Sequence, residues 1–169
     1  MGVSPSTRNG VFLTYLLLTF YCFGAAMINE FVEYSSWSGA GKFMSAADFA
    51  AWLTASGKIR VPFLVLPMVI DTILAFALIR YLPPTAPKWV LGIILTCHVV
   101  AWASTFVFQL PLELQLGSKG YSAAIMEKIL STDWIRKAAF FVEIPPAIYL
   151  AYKVFLHKDS SPVQKSSNL

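Results

Sequence analysis

Four stretches of this 169-residue chain stay apolar for about 20 residues each, the length that crosses a hydrocarbon core. They cover about 11–33, 61–82, 89–110 and 134–156. Lipid offers no water to bond an exposed peptide group, so each stretch is expected to form a helix. Only 13% of residues are charged, against about a quarter in an ordinary soluble chain. The expected fold class is all-α: an integral membrane four-helix bundle. Residues 1–158 form its one domain, followed by a flexible polar tail over 159–169.

The first stretch has Arg8, an apolar run and small residues at Gly24-Ala25-Ala26, as a signal peptide would. Its run exceeds the ~7–15 residues of such segments, so a retained span is expected. Cys22 and Cys97 lie inside apolar runs without a CxxC pair, which argues against a disulfide scaffold, a zinc site or a thiol redox motif. The net charge of +4 comes from cations flanking apolar runs. It reads as membrane orientation and not as a nucleic-acid footprint.

"PPTAP" between spans two and three predicts a tight hairpin, because Pro83, Pro84 and Pro87 cannot continue a helix. The 34–60 and 111–133 connections are longer, and both fall on the opposite side. Each is expected to carry a short amphipathic helix. One begins at Ser45 with Asp48 three residues on, then Phe49, Trp52 and Leu53 on one face. The other begins at Ser122 with Ile125, Met126 and Ile129. Lys and Arg divide almost evenly between the two sides, but the hairpin and tails are short and near the membrane. The positive-inside rule then puts both termini in the cytoplasm, and a bacterial cytoplasmic membrane is the expected location. Trp37, Trp52, Trp89 and Trp134 are expected in the interfacial belts.

Helical rise then locates the buried charges. From the long-loop side at 1.5 Å per residue, Asp71 lies about 16 Å deep, His98 about 18 Å and Glu143 about 14 Å. Three helices thus bring an ionisable side chain to one depth, near the middle of a core about 30 Å thick. Facing lipid, each would cost at least about 2.5–3.5 kcal/mol; turned inward, they can bond to one another or to water. His98, Trp102, Thr105 and Gln109 recur at helical spacing on one face, as do Arg136 and Glu143 seven apart. Asn29 and Glu30, with Glu33, lie nearer the long-loop mouth, and Glu113 lies at its edge.

Two carboxyls and an imidazole in a low-dielectric site suit general acid and base roles. Asp71, His98 and Glu143 are therefore the candidate catalytic residues. Asn29, Glu30, Trp102, Thr105, Gln109, Glu113 and Arg136 are the candidate ligand-binding residues. No metal is expected, since one His sits at that depth and no HxxxH or ExxH spacing occurs. No cofactor is expected either, since haem would want a second axial ligand and His157 lies at the far end of helix four. A proton relay across the membrane lacks groups in the hairpin half beyond Tyr15, Tyr21 and Tyr149.

"FQLPLELQLGSKGYSAAIMEKILSTDWIRKAAFF" resembles a group of small bacterial four-helix membrane proteins, themselves distantly similar to anthrone-oxygenase-like proteins. The shared pattern falls on Pro111, Glu113, Gly117 or Gly120, Trp134 and Arg136. That group often has His or Asn at the position of Glu113, and a Tyr-His pair in the first long loop. This chain has "AAW" there. A looser likeness joins "GIILTCHVVAW" to sterol-isomerase and sigma-2-receptor type proteins, which implies that Asp71 and His98 face a pocket.

The functional expectation is a membrane protein that binds a small apolar or amphipathic molecule entering from the bilayer and acts on it by acid/base chemistry. Arg136 and Gln109 would orient its polar head. The competing expectation is a non-enzymatic subunit, in a larger membrane complex or homo-oligomer, whose polar layer fixes helix packing.

Overall fold

The structure, a computed structural model, describes residues 4–82 and 86–156. Pro83 and Pro84 of the expected hairpin, His157 and the 159–169 tail lie outside the described residues. Four helical rods account for nearly all of the rest: α1 (Ser6–Gly41), α2 (Ala46–Tyr81), α3 (Lys88–Lys119) and α4 (Ala123–Phe155). All four are long and apolar enough to cross a membrane. The all-α four-helix bundle expected from the sequence is the fold observed.

Each rod packs along its sequence neighbour, and α4 closes the ring against α1. Short connections force this up-and-down order. The outer faces carry Leu17, Phe31, Ile73, Ile79, Val99, Val107 and Val142, all more than half exposed in the isolated chain. A lipid-covered surface accounts for such a belt.

One expectation needs correcting. The loop helices are not separate short pieces. The 46–60 segment runs without a break into the second span, 110–119 continues the third, and 123–133 begins the fourth. Rods of 32–36 residues measure about 48–54 Å, so they project well beyond a core of about 30 Å. Wide π turns at Val61–Val65 and Thr105–Gln109 lead into Pro67 and Pro111, and the rods continue past both. There, Leu66 N–H donates to Val61 O and Leu110 N–H to Thr105 O, five residues back. A register shift of this kind absorbs the missing proline N–H without ending the helix. A third π turn occupies Asn29–Tyr34 in α1.

The expected caps are present. Ser45 Oγ accepts from Asp48 N–H at 3.2 Å and donates to Asp48 Oδ2 at 2.6 Å. Ser122 Oγ accepts from Ile125 N–H at 3.5 Å. Between the rods, the two loops on this side interlock. Gly41 lies against the Tyr121 ring, and Gly120, at φ +84°, lies against Ala46. Added Cβ atoms would sit 2.2 Å and 2.5 Å from those neighbours, so neither position has room for a side chain.

The projecting ends bury their own core: Tyr34, Trp37, Phe49, Leu53, Leu116, Met126 and Ile129. Trp37 is 0% exposed. It therefore belongs to this core and not to an interfacial belt, as Trp89 and Trp134, both more than half exposed, can. At the opposite end, Phe12, Tyr15, Ala75, Leu78, Val90, Ile94, Ala147 and Leu150 form a second core. Cys22, Ala26, Met68 and Phe140, flanked by Phe23, Met27 and Trp102, fill a third layer between them. Polar residues occupy the two levels that these apolar layers separate.

Candidate functional site

The deeper polar level is built on the bundle axis. Asp71 from α2, His98 from α3 and Glu143 from α4 offer ligand atoms within 4.8 Å of one another. They are 0%, 4% and 1% exposed. His98 Nε2 lies 3.1 Å from Glu143 Oε1 and 4.0 Å from Asp71 Oδ2. The first helix contributes the anchoring hydroxyls: Tyr15 donates to Glu143 Oε1 at 2.7 Å, and Thr19 Oγ1 shares its proton between the Tyr15 carbonyl at 3.0 Å and Asp71 Oδ1 at 3.2 Å. These two lie four apart in the sequence, so one face of α1 presents both. Thr72 Oγ1 stands 3.0 Å from His98 Nδ1 and accepts from Trp102 Nε1 at 2.8 Å. The inward convergence expected from cost in lipid is thus the arrangement found. Apolar layers close this level above and below.

Two helical turns towards the loop side, the second polar level carries full charges. Lys137 Nζ, on a side chain that is 0% exposed, lies 2.7 Å from Glu30 Oε2 and 3.4 Å from Asp133 Oδ2. It also sits 4.2 Å from the Trp134 ring centre. Asp133 is shared with Arg136, an i,i+3 pair. Arg60 pairs with Glu113 at 3.5 Å and lies over the Trp37 ring. Three carboxylates thereby meet three cations, so these pairs neutralise one another. Gln109 ties α3 to α4 by donating to Thr132 Oγ1 at 3.1 Å, and Tyr34 donates to Gln109 Oε1 at 3.3 Å.

Three cavities surround this level, and Arg60 lines all of them. One of about 290 Å³ is bounded by Val61, Leu64, Val65, Thr105, Gln109, Glu113 and Arg136. A second, of about 180 Å³, lies between α1 and α2 against Tyr21, Asn29, Glu33, Phe63 and Leu64. The third, of about 430 Å³, opens between the projecting ends of α2 and α3 beside Glu113 and Gly117. Arg60 Nε and Arg136 Nε are buried donors without an acceptor. The three π turns supply much of the lining, and wide turns of this kind recur at functional sites.

The sequence-expected residues therefore divide into two groups. Asp71, His98 and Glu143 meet at the deeper level, with Trp102 reaching them through Thr72. Asn29, Thr105, Gln109, Glu113 and Arg136 border the cavities, while Glu30 is taken up by Lys137. None of these cavities is lined by Asp71, His98 or Glu143, so the expected single pocket resolves into two levels.

Sequence reasoning missed Lys137, Asp133, Arg60, Thr19 and Thr72. The Asp133–Lys137 and Asp133–Arg136 spacings (i,i+4 and i,i+3) were the available signal for the charged level. Comparison of the chain with known protein families, with curated proteins and with solved structures finds no match.

Proposed function

We propose that this chain is a multi-pass membrane protein that binds a small amphipathic molecule drawn from the bilayer. The polar head, bearing hydrogen-bond acceptors, sits among Arg60, Gln109, Glu113 and Arg136. Its apolar part lies on Val61, Leu64 and Val65. The observation that carries this reading is the concentration at one level of three π turns and three cavities sharing Arg60. Unpartnered buried donors are costly, at about 1–3 kcal/mol each, and an acceptor-bearing head satisfies Arg60 Nε and Arg136 Nε together. A cavity of about 290 Å³ is at the small end of ligand sites, which fits a head group with a short apolar segment.

The proposal is binding and not turnover. The Asp71–His98–Glu143 group lies about 10 Å deeper, seven residues along each helix from Leu64, Thr105 and Arg136. Met68, Phe140 and Trp102 fill the interval, so acid/base action on the ligand requires that layer to part. Both termini lie on the cytoplasmic side in this reading, from the short flanking cations of the hairpin and tails. The competing role, a packing subunit of a larger complex, draws on the deeper level. Hydrogen bonds there join all four helices, as interhelical polar links do.

Mass spectrometry of amphiphiles retained after extraction in mild detergent tests the reading. The wild-type chain is expected to carry one such species. Arg60→Gln should lose at least nine-tenths of it, and Asp71→Asn should keep it. Equal retention by Arg60→Gln, or a wild-type chain that carries a stoichiometric protein partner and no amphiphile, overturns binding in favour of the subunit role.

A further inference from the structure

Hydrogen-bond accounting at the deeper level leaves an unmet requirement. A threonine hydroxyl has one proton to donate and two lone pairs. Thr72 Oγ1 donates to the Met68 carbonyl at 2.8 Å and accepts from Trp102 Nε1 at 2.8 Å. Its remaining lone pair faces His98 Nδ1 at 3.0 Å, an arrangement that suits the tautomer with the proton on Nδ1. The neutral ring then turns the Nε2 lone pair towards Asp71 Oδ2 and Glu143 Oε1. Three electron-rich atoms on almost fully buried side chains point at one spot. Asp71 Oδ2 has no hydrogen-bond partner, and His98 Nε2 has only the 3.1 Å contact with Glu143 Oε1.

Charge sharpens the point. Two carboxylates lie near mid-membrane, where an uncompensated charge is expensive. No lysine or arginine among the described residues pairs with either. The cations one level up are committed: Arg60 to Glu113, Arg136 to Asp133, and Lys137 to Glu30 and Asp133. A divalent cation between Asp71, His98 and Glu143 makes the group neutral and gives every inward atom a partner.

We propose that Asp71 Oδ2, His98 Nε2 and Glu143 Oε1 form an intramembrane site for one divalent transition-metal ion of the zinc, ferrous iron and manganese class. One imidazole nitrogen with two carboxylate oxygens suits those borderline ions; calcium would want six to eight oxygens. Donors about 2.0–2.2 Å from a metal stand roughly 3 Å apart. The His98–Glu143 pair is already at that spacing, and Asp71 must move inward from its 4.0 Å to His98, within a set of donor atoms that all lie within 4.8 Å of one another. The outer support is in place. Thr72 fixes the Nδ1 side of His98 and Thr19 holds Asp71 Oδ1, the kind of partners that orient metal ligands. Ligand spacing along one helix gives no signal here because each ligand arrives from a different helix.

This inference does not rest on the amphiphile-binding reading, and the experiments separate the two. The full chain in mild detergent, treated with chelator, is titrated with Co²⁺ and followed by visible absorption and metal analysis. One Co²⁺ per chain is expected, with ligand-field bands that Zn²⁺ bleaches. Stoichiometry should fall to near zero in His98→Gln and stay at one in Glu30→Gln, which alters only the charged level. Thr72→Val should bind one Co²⁺ about 10–100-fold more weakly, as loss of an outer-shell partner does, and it keeps the proposal testable if His98→Gln fails to fold. Absence of saturable uptake by the wild-type chain overturns the proposal and leaves the group neutralised by protons. Uptake equal in wild type, His98→Gln and Thr72→Val overturns it as well.

Discussion

Lys137 offers the sharpest test of the two-level architecture, because its ammonium is wholly enclosed and its partners are known. Replacing it with Met preserves the length and apolar stem of the side chain while removing the charge. Glu30, 2.7 Å away, then loses its ion-pair partner. Asp133 is less affected, because Arg136 remains bound to it. Removing one member of a buried pair costs about 3–5 kcal/mol. Retention of the Arg136 contact and the 10% exposure of Glu30 place Lys137→Met at the low end, about 3 kcal/mol. Glu30→Gln leaves Lys137 with Asp133 and should cost about 1.5 kcal/mol, the value of a hydrogen bond to a charged group. The double variant removes both charges and leaves no orphan. It should cost only about 1–2 kcal/mol, far below the sum of the singles, since neutral replacements of buried pairs are well tolerated. Reversible unfolding in mixed micelles of SDS and dodecyl maltoside, followed by circular dichroism, measures all three. Additive costs within about 0.5 kcal/mol would falsify the claim that Glu30 and Lys137 neutralise each other across α1 and α4.

Two further outcomes follow from packing. Trp37→Ala should cost about 3–5 kcal/mol, as large core truncations do, whereas Trp89→Ala, at a position 64% exposed in the isolated chain, should cost under about 1 kcal/mol; equal costs in the same micelle titration would return Trp37 to the interfacial belt. Gly120→Ala should destabilise by about 1–3 kcal/mol for its positive φ and more for the clash with Ala46. Hydrogen exchange should then speed up first in the interlocked 42–45 and 120–122 loops, and unchanged exchange there would contradict the close approach.

The parts of this architecture that the sequence discloses are those governed by distance along a helix. Apolar run length sets the number of spans, and rise per residue puts Asp71, His98 and Glu143 at one depth. The cost of a charge in lipid then turns them inward, and the structure brings all three together. Rotation between helices is another matter. Arg136 and Lys137 are adjacent and about 100° apart on α4, so a single inward direction favours one of them. Both are buried because α4 is flanked by α1 and α3, which gives it two interior-facing edges and lets Glu30 reach Lys137 from one of them. Helix boundaries were obscured for a related reason. Pro62 and Pro111 stand where the spans were expected to begin and end, yet the rods run past both, with a π turn beside each.

Those turns do more than preserve continuity. Each shifts a helix's side-chain register by one residue relative to an uninterrupted α-helix, and three of them occur near the charged level. A face aligned with the deeper level is no longer aligned above the turn. This explains how one set of four helices presents an electron-rich group on its axis and a layer of paired charges bordered by cavities two turns away. Thr105 and Gln109, on the same helical face as His98 by simple spacing, line a cavity that His98 does not reach, because seven or more residues of rise and the Met68, Phe140 and Trp102 layer lie between. If the π turn at Thr105–Gln109 sets this offset, deleting one residue within it should restore α-helical register and rotate Gln109 away from Thr132. The Gln109–Thr132 contact at 3.1 Å makes that rotation measurable. Cysteines placed at 109 and 132 of the unshortened chain should cross-link readily, and those at the equivalent positions of the shortened chain should not. Equal cross-linking in both would show that the offset is set by packing from α4 and not by the turn.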